Sequence, residues 1–162
     1  MVKFRNVKPE DLPDILAVET HCFSKAEAAT KEALEKRIQI IPDSFYVAEE
    51  NGLLMGFVNG PVIGEAFISD DLFKEIDANP PTGGYQSILG LAVSPDFQKR
   101  GIASALLAHL EKAARLKKRE TITLTCRENL IGFYEKQGYH NAGKSNSQHG
   151  GVNWFNMLKK LQ

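Results

Sequence analysis

The pattern of apolar and polar positions predicts a strand and two helices at the start of the chain. Apolar and polar residues alternate over residues 2–7, which is typical of a short strand. Pro9, followed by two acids, suits the first turn of a helix whose apolar residues recur at helical spacing. A second helix is expected over about residues 26–40, and Pro42 ends it.

The middle of the chain is predicted to form a hairpin and then an acidic excursion. Residues 44–50 and 53–59 are expected to be strands, because Asn51 and Gly52 between them are the residues that a tight hairpin turn prefers. Residues 64–84 are expected to leave the sheet, form a short acidic helix and end in a flexible loop. The acids of this segment are Glu65, Asp70, Asp71, Glu75 and Asp77.

The C-terminal half alternates strands and helices. The predicted strands cover residues 85–93, 121–126, 139–144 and 152–158, and the predicted helices cover residues 101–116 and 128–137. Gly138 suits the positive φ that often ends a helix. This order predicts a mixed α/β or α+β layout around one sheet.

Composition places the chain among ordinary globular proteins. Its 162 residues suit one domain, residues 1–162, and its net charge of zero lacks the basic character of a nucleic-acid binder. No apolar run is long enough to span a bilayer, so no membrane partner is expected. The start has no apolar core like that of a signal peptide, so Cys22 and Cys126 are expected to be reduced thiols in a cytoplasm. The histidines and cysteines show no metal-ligand spacing, so no metal is expected.

One segment carries a chemical signal. A predicted strand that ends at Val93 leads through a polar turn into a helix whose first residues include Gly101 and Ala103. Small residues let a ligand approach the backbone, and the free N–H groups of a helix start attract phosphate. Lys99 and Arg100 add positive charge. Phosphate binding and an ordinary glycine-containing helix start are both open on these grounds, whereas P-loop and dinucleotide fingerprints are absent.

The segment from Gln98 to Ala103 resembles the Gln/Arg-x-x-Gly-x-Gly/Ala signature of the GNAT acyltransferase superfamily. A second landmark, Phe133-Tyr134 followed by Gly138, also resembles that superfamily. The resemblance implies a GNAT-like fold: a mixed central sheet of six to seven strands, a splayed fourth and fifth strand pair, and four to five flanking helices.

The resemblance also implies acetyl-CoA as the cofactor. Its pyrophosphate would lie on the N–H groups of residues 99–104, and its pantetheine arm would pair with residues 91–93 like an added strand. The cofactor-binding residues by this resemblance are Leu91, Ala92, Val93, Gln98, Lys99, Arg100, Gly101, Ile102, Ala103, Ser104, Asn129, Phe133 and Tyr134.

The implied reaction is direct transfer of the acetyl group to a primary amine in a ternary complex. The backbone N–H of Leu91 would stabilise the oxyanion, and Tyr134 would protonate the departing sulfur. An alternative is that Tyr134 is a core aromatic residue whose hydroxyl caps a backbone group, with Tyr139 as the acid.

The overall pattern is most similar to the arylalkylamine (serotonin-type) N-acetyltransferase branch. Where that branch's vertebrate members carry paired histidines, this chain has Ser87 and Leu89, so the base is expected to be ordered water, Glu19 or an acid of the excursion. His21, His140 and His149 are expected at the surface.

The acceptor is expected to be a small-molecule amine. By the resemblance, Phe23, Ser87, Leu89 and Trp154 form its site, although core packing also explains Phe23 and Trp154. The acidic residues 65–77 would steer a cationic amine or form only a solvated face. A polyamine, an aromatic amine, an amino acid and a protein N-terminus or lysine stay open as acceptors, as does a non-catalytic acetyl-CoA sensor. The chain is expected to be a monomer or a homodimer.

Overall fold

The computed structural model describes residues 1–147 and 149–162, which form nine strands and four α-helices. The strands are β1 (Lys3–Asn6), β2 (Phe45–Glu50), β3 (Leu53–Asn59), β4 (Val62–Ile63), β5 (Tyr85–Ile88), β6 (Gly90–Val93), β7 (Thr121–Cys126), β8 (His140–Lys144) and β9 (Phe155–Lys160). The helices are α1 (Leu12–Cys22), α2 (Lys31–Ile40), α3 (Ile102–Leu116) and α4 (Ile131–Lys136). The predicted α/β class is confirmed, with two sheets instead of one.

The two sheets differ in strand direction. One has the order β1-β2-β3-β6, and its neighbouring strands are all antiparallel. The other has the order β4-β5-β7-β9-β8 and is mixed, because β5 and β7 are parallel while its other pairs are antiparallel. The sheets meet where β5 leads into β6.

The single strand predicted over residues 85–93 is interrupted at Leu89. Its first half, β5, pairs with β7, and its second half, β6, pairs with β3. The end of β3 fixes the interruption, since the Leu89 N–H donates to the carbonyl oxygen of Asn59, the last residue of β3, at 2.8 Å. A Cβ on Gly60 would lie 2.1 Å from the carbonyl oxygen of Ser87, so only glycine permits this approach. The interruption separates β6 from β7 and opens a gap between the sheets.

Helices pack on both faces of the strands. On one side α3 contributes Leu106 and Leu110 to a core that includes Met55 and Leu124. On the other side α1 and α2 bury Ile15 and Leu34 against Phe45 and Phe57. In the described parts of the chain, no helix combines the length and apolar character that crossing a membrane requires.

Three local predictions can be compared with the element boundaries. The tight hairpin turn is confirmed, with positive φ at Asn51 (53°) and Gly52 (79°). The second helix begins at Lys31 instead of residue 26, because the Thr30 hydroxyl accepts a 3.1 Å bond from the Ala33 N–H and caps the helix there. The last strand begins at Phe155, three residues after the expected start, because a 3-10 turn at His149–Gly151 precedes it.

Candidate active site

A cavity of about 110 Å³ lies where β6 and β7 diverge. Its wall includes residues from α1, the strand interruption, β6, α4 and the segment before β9. It brings together six of the predicted site residues: Glu19, Phe23, Leu89, Leu91, Tyr134 and Trp154. These residues are far apart in sequence, so the fold places them around one space.

The backbone N–H of Leu91 is directed into the gap between the sheets. The Ser94 N–H donates to the carbonyl oxygen of Met55 at 2.7 Å. The next pair along the ladder, Gly56 and Val93, is therefore a non-hydrogen-bonded pair. Bonding alternates along an antiparallel ladder, so Leu91, two residues away, also turns its N–H away from β3. This N–H is therefore available on the β7 side. Ala92 has the opposite orientation, and its polar backbone groups face β3.

The start of α3 forms a second cavity, of about 180 Å³, beside the first. Lys99 (φ 64°) and Gly101 (φ 78°) adopt left-handed backbone conformations that turn the chain into the helix. A Cβ on Gly101 would meet no heavy atom within 4 Å, so the space beside this residue is open. The first N–H groups of α3 lack intrahelical acceptors, as at any helix start, and an anion in this space would satisfy them.

The side chains of this loop have structural partners of their own. The Gln98 amide donates to the carbonyl oxygen of Val93 at 3.0 Å and ties the loop to β6. Arg100 pairs with Glu50 at 3.3 Å. The Ser104 hydroxyl accepts a 3.0 Å bond from Gln137, and Ile102 is buried in the core. The backbone, more than these side chains, is available to a ligand.

Tyr134 projects from α4 into the first cavity. Its ring is 7% exposed and lies edge-on to the rings of Phe133 and Tyr139, at centroid distances of 5.0 and 5.7 Å. Within the described residues, its hydroxyl makes no hydrogen bond, so the predicted alternative of a backbone cap is not realised there. Burial raises the pKa of this phenol well above its ordinary value. The group therefore carries its proton at neutral pH.

Glu19 also lines the first cavity, and its side chain is buried. Its Oε2 atom accepts a 2.8 Å bond from the Ala29 N–H, while Oε1 is buried with no partner in the described structure. Burial raises the pKa of Glu19, and the Ala29 bond and the electrostatic interactions with Arg37 and His149 oppose that rise. One carboxylate oxygen is thus free to accept a proton or a water molecule.

Four predicted site residues line neither cavity: Ser87, Ala92, Arg100 and Asn129. Ser87 is fully buried in β5, and its hydroxyl donates to the Pro61 carbonyl oxygen at 2.6 Å. Asn129 is exposed in a 3-10 turn before α4, and its neighbour Leu130 lines the first cavity instead. Phe133, by contrast, lines the cavity at the start of α3, as expected.

His149, expected at the surface, is half-buried and lines the first cavity. Its ring stacks on Phe73 with centroids 4.6 Å apart and planes 4° apart. Its Nε2–H donates to the carbonyl oxygen of Glu27 at 2.9 Å. In the sequence, the two glycines after His149 indicate a turn. No local sequence pattern predicts which surface the His149 ring contacts.

The acidic excursion contributes an aromatic side chain to the cavity. Its short 3-10 helix, Asp70–Phe73, places Phe73 in the wall. The Ser147 hydroxyl donates to Asp70 and connects this helix to the segment before β9. The five carboxylates of the excursion are exposed, and none is among the described residues that line the cavity.

Both cysteines are free thiols. Cys126 lies in the cavity wall at the end of β7, and burial raises its pKa to about 11, so it is protonated at neutral pH. The Cys22 thiol donates to the Val93 carbonyl oxygen at 3.2 Å. Across residues 1–147 and 149–162, no three His, Cys, Asp or Glu side chains converge as a metal site would require.

Residues 12–139 match the sequence model of a family described as the Acetyltransferase (GNAT) family. An acetyltransferase of Pectobacterium atrosepticum is 34% identical over 113 residues, which cover 65% of this chain and 64% of that relative. An acetyltransferase of Yersinia pestis is 27% identical over 146 residues, covering 85% of this chain and 87% of the relative.

The fold is also similar to solved structures. A GNAT-like decarboxylase, GphF, in complex with isobutyryl-CoA superposes with a TM-score of 0.84 over 99% of this chain and 100% of that one. The two sequences are 19% identical. Similarity at this level establishes the shared fold.

Proposed function

The chain belongs to the GNAT acetyltransferase family, and from this premise we propose that it transfers the acetyl group of acetyl-CoA directly to a primary amine. One observation carries the proposal. Tyr134 and Glu19 line the same cavity of about 110 Å³, and the Oε1 atom of Glu19 is buried without a partner in the described structure. An acid for the sulfur and an acceptor for the amine proton would thus stand on two walls of one site.

We assign the acetyl-CoA site to the edge of β6 and the start of α3. Bound acetyl-CoA would supply the activated acetyl thioester. The open space beside Gly101 and the free N–H groups of the first helical turn fit a pyrophosphate. The N–H of Leu91, facing the gap, would donate to the oxyanion that develops during transfer.

Tyr134 would act as the general acid. A thiolate with a pKa of about 8.5, by analogy with cysteine, leaves more readily when it is protonated. The raised pKa of the Tyr134 phenol keeps its proton available at neutral pH. The ring contacts with Phe133 and Tyr139 hold the hydroxyl in one position.

Glu19 would remove the amine proton, directly or through a water molecule. An alkylammonium has a pKa of roughly 10 and must lose a proton before it can attack. The buried Oε1 atom of Glu19 offers a proton acceptor. This chain needs one, because Ser87 and Leu89 stand where the arylalkylamine branch has its paired histidines.

We further propose that the acceptor is a small amine with an aromatic or apolar tail. Besides Tyr134, four rings line the cavity, from Phe23, Phe73, His149 and Trp154. Burying an apolar side chain against such a wall contributes about 1.5–3 kcal/mol. The apolar wall therefore favours an arylalkylamine acceptor over a polyamine.

The experiment is a measurement of CoA release from acetyl-CoA with the purified protein and a panel of amines. The panel contains phenethylamine, spermidine, free amino acids and peptides with a free N-terminus or a lysine. Release that depends on an amine and falls in Tyr134→Phe supports the proposal. Binding of acetyl-CoA without release for any amine would favour a non-catalytic sensor.

A further inference from the structure

Beside the proposed base lies a cluster of buried polar groups with unused hydrogen-bonding capacity. Arg37, from α2, is 2% exposed, and Asn59, at the end of β3, is fully buried. Arg37 Nη1 donates to Asn59 Oδ1 at 3.2 Å. Within the described residues, Arg37 Nη2, Asn59 Nδ2 and Glu19 Oε1 are all buried without partners.

We propose that Arg37 is a positioning residue that holds the Glu19 carboxylate in its charged form, and that Asn59 holds the Arg37 guanidinium in place. The inference rests on the proposed role of Glu19 as the base. It adds that the positive charge of Arg37 keeps the Glu19 carboxylate ionised and therefore active as a base.

The burial and charge of Arg37 account for its interaction with Glu19. A buried guanidinium is expensive unless an opposite charge or hydrogen bonds compensate for it, and Asn59 supplies only one neutral acceptor. Burial lowers the pKa of Arg37 to about 10, so the side chain is still cationic at neutral pH. The electrostatic interaction with Glu19 opposes this lowering of the Arg37 pKa. No hydrogen bond joins the two side chains in the described structure, so they interact through space at low local dielectric.

Gly90 preserves the space that this cluster occupies. It begins β6 and lines the catalytic cavity. A Cβ on Gly90 would lie 3.2 Å from Asn59 Nδ2 and 3.9 Å from Arg37 Nη1. The guanidinium therefore approaches the cavity wall at a residue that has no side chain.

Glu19 has other titratable neighbours, and the test must separate their effects on its pKa from the effect of Arg37. Those near its carboxyl or on the same cavity wall are Cys22 from α1, Arg37 from α2, Glu27, His149, Cys126 from β7 and Tyr134 from α4. Glu27 is ion-paired with Arg127, and the thiols and the phenol are neutral. His149 is the other side chain whose electrostatic interaction lowers the pKa of Glu19.

The test is the pH dependence of kcat/KM in Arg37→Met and Arg37→Lys. Arg37→Met removes the charge, so the pKa of Glu19 should rise. The acid limb of the profile, where kcat/KM falls as pH decreases, should then shift to higher pH by about one unit or more. Activity at high pH should recover to within a few-fold of the parent. Arg37→Lys keeps the charge and should keep the limb near its parental position. An Arg37→Met profile that is lower but unshifted would mean that Arg37 only supports packing, and would overturn the inference.

Two further measurements separate this inference from the proposed function. Glu19→Gln should abolish the acid limb; a limb that persists in Glu19→Gln refutes Glu19 as the base, whatever Arg37 does. The carboxyl ¹³C resonance of Glu19 gives its titration without turnover and should shift in parallel in Arg37→Met.

Asn59→Asp provides a second variant that does not depend on the folding of Arg37→Met. It retains Arg37 but places a counter-charge on the guanidinium, so the Glu19 titration should again move upward. An unchanged Glu19 titration in folded Asn59→Asp would overturn the inference.

Discussion

The rings of Tyr134 and Tyr139 meet edge to face, with centroids 5.7 Å apart, yet their hydroxyls have different surroundings. Tyr134 lines the first cavity, whereas the Tyr139 hydroxyl is buried with no partner in the described structure. Burial raises the pKa of both phenols well above the ordinary value. Both are therefore protonated at neutral pH, and position alone makes Tyr134 the candidate acid.

Tyr134→Phe should lower kcat roughly 100-fold, at the lower end of what general acid–base catalysis contributes. CoA affinity should change little, because the ring and its packing are retained. Tyr139→Phe is the matched control: it removes an unpartnered buried hydroxyl and should leave kcat unchanged with equal or greater stability. Steady-state kinetics and calorimetry with CoA check both variants. Equal losses of kcat in the two would contradict the assignment.

Gly101→Glu should weaken CoA binding at least 100-fold. The side chain would fill the open space at the start of α3 and repel the pyrophosphate. Gly52→Glu is the control, because Gly52 has nearly the same φ, 79° against 78°, an equally open surrounding and a position in the β2–β3 turn. Both substitutions should cost about 1–2 kcal/mol of backbone strain. If calorimetry shows the parent's CoA affinity in Gly101→Glu, the cofactor site is elsewhere.

The pH profile of kcat/KM should have an acid limb above the ordinary pKa of glutamate, because burial raises the pKa of Glu19. As pH falls through that value, Glu19 gains a proton and can no longer accept one from the amine. Above pH 7 the rate should continue to rise toward the pKa of the amine, since more of the acceptor is then neutral. Glu27→Gln should leave the profile unchanged, because Glu27 is paired with Arg127. A single limb that levels off near pH 6.5 would indicate a histidine base.

Among acceptors, phenethylamine should give kcat/KM values about 10–100-fold above those of spermidine, consistent with the free energy of burying one ring. Trp154→Ala removes apolar wall and should raise KM for phenethylamine. Trp154→Phe keeps a ring but loses the 2.6 Å bond from the indole N–H to the His149 carbonyl oxygen, and should have an intermediate effect. A panel in which spermidine or free amino acids react fastest would refute the apolar acceptor site.

Local sequence pattern predicted most elements of the fold. The turn at Asn51 and Gly52 depends only on the backbone preferences of two adjacent residues, and the start of α3 at Gly101 depends on one glycine and the helix that follows. Such features are determined within a few residues, so periodicity and turn chemistry are sufficient. The resemblance carried by Gln98–Ala103 then indicated the family, because its signature is local and the backbone of this loop is the proposed cofactor site.

The tertiary structure decided what no local pattern contains. The interruption at Leu89 arises because β5 and β6 bond to different partners, β7 and β3, which are remote in sequence. His149 reaches the cavity through its stack on Phe73, and Arg37 bonds to Asn59, 22 residues away in sequence, only after α2 packs beside the strands. The sequence by itself determined the elements and the loop that would bind CoA. Which charged and aromatic groups share one cavity was decided by long-range packing, because such contacts depend on residues tens of positions apart.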